Sequence, residues 1–163
     1  QALGAYVDAQ REYYLANPAK DKLLQYAQKV VSAQGKRDGL YYPTKTGEAP
    51  SPLGALFDSR AAAGYKPADG KPAPYYGYNY RILKAHGPDA KGGAYDYVAR
   101  GKMIGGFAMV AYPATYRNSG IMTFIVNQDG VVYEKDLGPN TAALAQKITK
   151  FNPDKSWKRH DTK

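Results

Sequence analysis

In the stretch "IMTFIVNQDGVVYEK", residues 121–135, two apolar runs meet at a tight polar turn, and no other feature constrains the fold as strongly. Asp129-Gly130 supplies the left-handed backbone that a two-strand reversal needs, and the flanking Ile, Thr, Phe, Val and Tyr favour extended chain. A calcium loop is the competing reading of the same oxygen-rich residues. Placing Gly130 at the obligatory glycine of such a loop puts Ile125 at the first ligand position, and Ile cannot bind a cation. The stretch is therefore a hairpin, and the hairpin predicts an antiparallel sheet.

The same period of two extends upstream. In "YYGYNYRILKA" the residues Tyr76, Tyr78, Tyr80 and Ile82 alternate with Gly77, Asn79 and Arg81, and "AYDYVAR" and "KMIGGFAMVAY" continue the strand character. Gly105 and Gly106 mark a bulge or a close backbone approach in that run, since the phosphate-loop spacing is missing. The N-terminal part has a different period. Leu3, Tyr6, Val7, Tyr13 and Tyr14 share a face of a helix over 2–16, and Leu23, Tyr26, Ala27 and Val30 predict a second helix over 20–33. Pro, Gly and Ser then dominate a long loop region, with a short helical turn expected over 54–63. After the hairpin, Thr141 caps an expected helix with Leu144, Ala145, Ile148 and Phe151 on one face, followed by a partly loose tail anchored by Trp157. The expected architecture is α+β: N-terminal helices packed on an antiparallel β-meander of about four strands, plus a C-terminal helix. A single domain over 1–163 divides into a helical part (1–34), a Pro/Gly loop region (35–74), a sheet (75–137), a helix (140–151) and a basic tail (152–163).

Composition narrows the function. There are no cysteines, which excludes disulfides, thiolate metal sites and iron–sulfur clusters. No apolar run reaches the roughly 20 residues of a membrane-spanning helix. The net charge of +9 favours anionic partners. The basic residues are scattered, however, with their densest group at "KSWKRH", and no nucleic-acid recognition motif accompanies them. Sixteen tyrosines against 4 Phe and 1 Trp suit half-buried sheet faces and also sugar-binding or protein-binding surfaces.

No catalytic constellation is visible. His86, in a Gly/Pro loop, and His160, in the tail, lack partners at metal-ligand spacing, so both are expected as exposed loop histidines and no metal or cofactor is expected. Asp8/Glu12 and Glu134/Asp136 have basic neighbours and do not suggest a glycosidase pair. The chain is expected not to be an enzyme. Leu3, Tyr6, Val7, Tyr13 and Tyr14 are candidate self-association contacts. Tyr76, Tyr78, Lys155, Trp157, Lys158 and Arg159 are candidate contacts for a polyanion or glycan.

"AYVDAQREYY", "GKRDGLYYP", "SPLGAL", "YYGYNYRIL", "GGAYDYVARGKMIGGFAMVAYPATY" and "SGIMTFIVNQDGVVYEKDLGPNTAALA" together resemble the bacterial family called domain of unknown function 2950. The resemblance carries no catalytic residue with it. It implies an exported protein, processed and extracytoplasmic (periplasm, cell surface or secreted), of which this sequence looks like the C-terminal portion. "AQREYY", "GYNYRI" and "AYPATYRNSGIMTFIVNQDGVV" are also similar, more distantly, to the globular part of type IV pilins and pseudopilins, although the apolar N-terminal stem of those proteins is missing. That similarity implies a pilin-like structural or assembly protein, a homo-oligomer or surface filament subunit. The alternative function is a module that binds an envelope polysaccharide or other polyanion.

Overall fold

A computed structural model of the chain describes residues 2–54 and 77–160. The chain divides into two compact units, Gln1–Ala73 and Pro74–Lys163. Tyr76, the start of the first expected strand, most of the turn expected over 54–63, and residues 161–163 lie outside the described residues.

The first unit is built on helix α1, Ala2–Ala16. Leu3, Tyr6, Val7, Gln10 and Tyr13 are buried at the helical period. Pro18 disfavours helical backbone at the residue before it, and Asn17 takes a left-handed φ of 48° that ends the helix. The second helix, expected over 20–33, does not form. Gln10 intercepts the backbone that the helix would need: the Ala27 N–H donates to Gln10 Oε1 at 2.7 Å, and Gln10 Nε2 donates to the Ala27 carbonyl at 2.8 Å. Asn17 makes a similar exchange with the backbone of Asp21, at 2.9 and 3.0 Å. Further along, the Tyr41 N–H reaches the Val30 carbonyl at 2.8 Å and the Ser32 N–H reaches the Tyr41 carbonyl at 2.9 Å, which makes a parallel bridge between Val31 and Tyr41. Leu23, expected on the buried face of that helix, is 52% exposed.

The second unit is a five-stranded antiparallel sheet in the order β1–β6–β7–β8–β9. Its strands are β1 Tyr78–Leu83, β6 Ala108–Pro113, β7 Thr123–Asn127, β8 Val132–Lys135 and β9 Lys158–Arg159. Two small ribbons lie between β1 and β6 in sequence: β2 Ala85–His86 pairs with β3 Tyr95–Asp96, and β4 Val98–Ala99 pairs with β5 Lys102–Met103. Every residue of β6 is buried, which explains the unbroken apolar run of "FAMVAY". The hairpin forms as expected. Val126 pairs with Val132, the Gly130 N–H donates to the Asn127 carbonyl at 2.9 Å, and Gly130 has φ 78°.

Three corrections concern the C-terminal part. Helix α2 covers only Thr141–Gln146, and Leu144 on it is 43% exposed. Phe151, expected on the same helical face, is extended: its N–H donates to the Ala85 carbonyl and its carbonyl accepts from Gly87 N–H, so the chain leaves the helix to bridge His86. The tail is not loose as far as His160. Lys158 and Arg159 form β9 on β8, opposite Glu134 and Tyr133, and the His160 N–H donates to the Val132 carbonyl at 2.7 Å.

Candidate functional site

Five candidate contacts on α1 have been placed. Leu3, Tyr6, Val7 and Tyr13 are buried, and Tyr14 is half-buried against Tyr26 with ring centroids 4.7 Å apart. Burial raises the pKa of both Tyr6 and Tyr13, the latter to about 12 with help from Asp21 and Asp38, so each hydroxyl stays neutral. Tyr13 points its hydroxyl at the Arg37 carbonyl, 3.4 Å away. These side chains act inside the fold.

The polyanion candidates separate. Tyr78 lies on β1, at the opposite end of the sheet from β9. Four strand spacings put these ends roughly 19 Å apart. The Tyr78 hydroxyl donates to the Met122 carbonyl at 3.0 Å, and burial raises its pKa. Lys155, Trp157, Lys158 and Arg159 do come together in one C-terminal segment. Lys155, Lys158 and Arg159 are exposed, and Trp157 is half-buried.

Trp157 borders a cleft of about 280 Å³ within the second unit. Its apolar lining comes from Ile125 of β7, Ile148 beyond α2 and Pro88; Lys150, Asn152 and Asp154 supply the polar groups. Two distant segments make its walls, residues 87–88 and 148–157, and the bridge between His86 and Phe151 holds them together. The packing there is close. A Cβ on Gly87 would stand 2.5 Å from Asn152 Cγ. Asn152 is fixed by Asp89: its Oδ1 accepts from the Asp89 N–H at 2.8 Å, and its Nδ2 donates to Asp89 Oδ2 at 3.2 Å. Asp154 organises the turn that carries Trp157. Its Oδ1 accepts from the Ser156 hydroxyl and from the Ser156 N–H, and its carbonyl accepts from the Trp157 N–H at 3.1 Å. The two Ser156 bonds, with Lys135 nearby, hold the Asp154 carboxyl below the usual range, so it is ionised. Lys135 Nζ bonds Ser156 Oγ at 2.8 Å and sits 5.9 Å from the Trp157 ring centroid. Lys150 is exposed and has no carboxylate partner among the described residues.

His86 is the largest departure from expectation. It is not an exposed loop residue but 2% exposed, on β2. Tyr95, Tyr97 and Phe151 surround its ring at centroid distances of 4.7, 4.9 and 5.4 Å. Asn127 Oδ1 accepts from the Asp129 N–H, so its Nδ2 faces His86 Nε2 at 3.0 Å and donates to it. The imidazole proton then belongs on Nδ1, which has no hydrogen-bond partner among the described residues. Burial lowers the pKa of His86, with Asp129 opposing, and the ring stays neutral. His160 is not an exposed tail residue either: directly after β9 it is half-buried, its Nδ1 3.0 Å from Glu134 Oε1. Sequence reasoning found Trp157 but not Lys150, Asn152 or Gly87; "DKSW", an Asp two residues before a Ser, was the readable sign of the turn.

Fold and cleft define an α+β protein whose antiparallel sheet carries a small cleft lined by Trp157 and Lys150. The chain belongs to the family described as Protein of unknown function (DUF2950), whose model matches residues 1–160. No curated protein and no solved structure matches it. No described helix is long and apolar enough to cross a membrane.

Proposed function

We propose that the chain is a non-catalytic, extracytoplasmic binding module for an anionic glycan of the cell envelope. One observation carries this reading: Trp157 and Lys150 line a preformed cleft, and Lys155, Lys158 and Arg159 of the same C-terminal segment are exposed cations. An aromatic face takes the C–H surface of a sugar ring, the cations take acidic groups, and the locked turn at Asp154 lowers the ordering cost of binding. The net charge of +9 supports attraction over longer range. The experiment is retention of the chain on immobilised polygalacturonate and heparin. Retention near 0.05 M salt should vanish near 1 M, where the screening length falls to about 3 Å. Passage through both columns at low salt overturns the reading.

A pilin-like role in a surface filament is the second reading. The order of one helix followed by an antiparallel sheet favours it. With four of the five candidate contacts on α1 buried, assembly would use other surfaces, such as the exposed Leu15, Leu23 and Leu24. Sedimentation of a concentration series, with negative-stain microscopy, tests it: a monomer at every concentration rejects it.

A further inference from the structure

We infer that the Trp157 cleft is a subsite for one acidic pyranose ring, a hexuronate unit, with the ring face on Trp157 and its carboxylate on Lys150. This rests on the glycan-binding reading and gives it a ligand class.

Size limits the occupant first. At about 280 Å³ the cleft is smaller than the ~300–1,000 Å³ sites that enclose drug-sized ligands, so it takes a single ring with its substituents. The chemistry of the lining then selects among rings. Ile125, Ile148 and Pro88, with the indole, offer an apolar floor and sides, which a small hydrated anion such as phosphate would leave unused. A pyranose has what this lining needs: an apolar C–H face and a rim of hydroxyls. Asn152 is held by Asp89 through one Nδ2 proton and one Oδ1 lone pair, which leaves its amide one further donor and one further acceptor for hydroxyls.

Charge decides between neutral and acidic rings. Asp154 would repel an acid, but its Oδ1 is occupied by Ser156, and the ammonium of Lys135 lies at Ser156 Oγ beside it. Lys150 is the cation of the cleft left without a carboxylate. A carboxylate on the ring gives it that partner. Lys155, Lys158 and Arg159, exposed in the same C-terminal segment, would then be available to neighbouring acidic units of the same polymer.

Trp157 is the chain's single tryptophan, so its fluorescence reads the cleft directly. The whole chain is titrated with digalacturonate and diglucuronate, with methyl galactoside as the neutral ring, and with sodium sulfate as the ringless anion. Calorimetry runs in parallel. At least one uronate should give a saturable response, at least about tenfold tighter than the neutral sugar, while sulfate gives none. Lys150→Gln, an exposed position that leaves the fold intact by circular dichroism, should remove that preference without weakening the neutral sugar. Trp157→Ala should abolish calorimetric binding of both. Equal affinity for acidic and neutral rings, or an acid preference that survives Lys150→Gln, overturns the uronate assignment. Failure of every sugar to titrate, while polygalacturonate is still retained on the column, rejects the subsite and leaves the polyanion reading standing. Loss of column retention as well rejects both.

Discussion

The two units satisfy their backbones in different ways. In the second, the main chain pairs with itself along a ladder from β1 to β9. In the first, beyond α1, side chains take over much of that work: Gln10 serves Ala27, Asn17 serves Asp21, Asp38 accepts from the Ala33 N–H, and Ser32 Oγ accepts from the Gly39 N–H. A ladder spreads its stability over many equivalent bonds. A side-chain staple concentrates it, because removing one residue strands buried backbone groups that have no other partner. The units should therefore respond differently to single substitutions.

The largest effect is expected beside the fully buried strand β6. Phe107→Ala, at a fully buried position, should cost about 3–5 kcal/mol in chemical denaturation of the second unit, read by Trp157 fluorescence. A loss below 1 kcal/mol would mean that the β6 region tolerates a void. Gln10→Ala comes next. It leaves the Ala27 N–H and carbonyl buried without partners and should cost on the order of 3 kcal/mol. Hydrogen exchange sharpens the contrast: amides of Ala27, Leu40 and Tyr41 should exchange faster, while those of β6 and β7 keep their protection. Uniform acceleration across both units would break the comparison.

Smaller still is a pH effect from His86. Burial depresses its folded pKa, so above the ordinary value of about 6.5 both folded and unfolded chains hold it neutral. Below that pH the unfolded chain takes up the proton first. Stability should fall with decreasing pH from about 6.5 toward the folded value, by at most about 1.4 kcal/mol per pH unit. His86→Gln should flatten this slope in melts between pH 7 and 5, and a slope that persists would assign it to another group. The smallest change is expected at the hairpin. Gly130→Ala forces a left-handed φ of 78° on a residue with a Cβ and should cost about 1 kcal/mol, with no change in retention on acidic polysaccharide.

Much of the sheet was legible because a period of two and an Asp-Gly turn are local signals. The strands around Tyr78–Leu83, Ala108–Pro113 and the 123–135 hairpin form close to where alternation puts them. The second helix was misread because Leu23, Tyr26, Ala27 and Val30 have helical spacing, while the side chain that diverts the backbone lies 17 residues away. The site was half legible. Trp157 and its cations stand out by composition, but the cleft needs Gly87 and Pro88, whose place beside Asn152 no spacing reveals.

Sequence alone determined the α+β class, α1, the hairpin and the cationic C-terminus, because each depends on residues within a few positions of one another. Tertiary structure alone decided that Phe151 covers the buried His86, that residues 158–159 become the last strand beside β8, and that Pro88 closes a cleft with Lys150 and Trp157. In each case the partner comes from a distant segment. Desolvation and backbone pairing across such distances depend on which segments the sheet brings together, and local pattern carries no record of that.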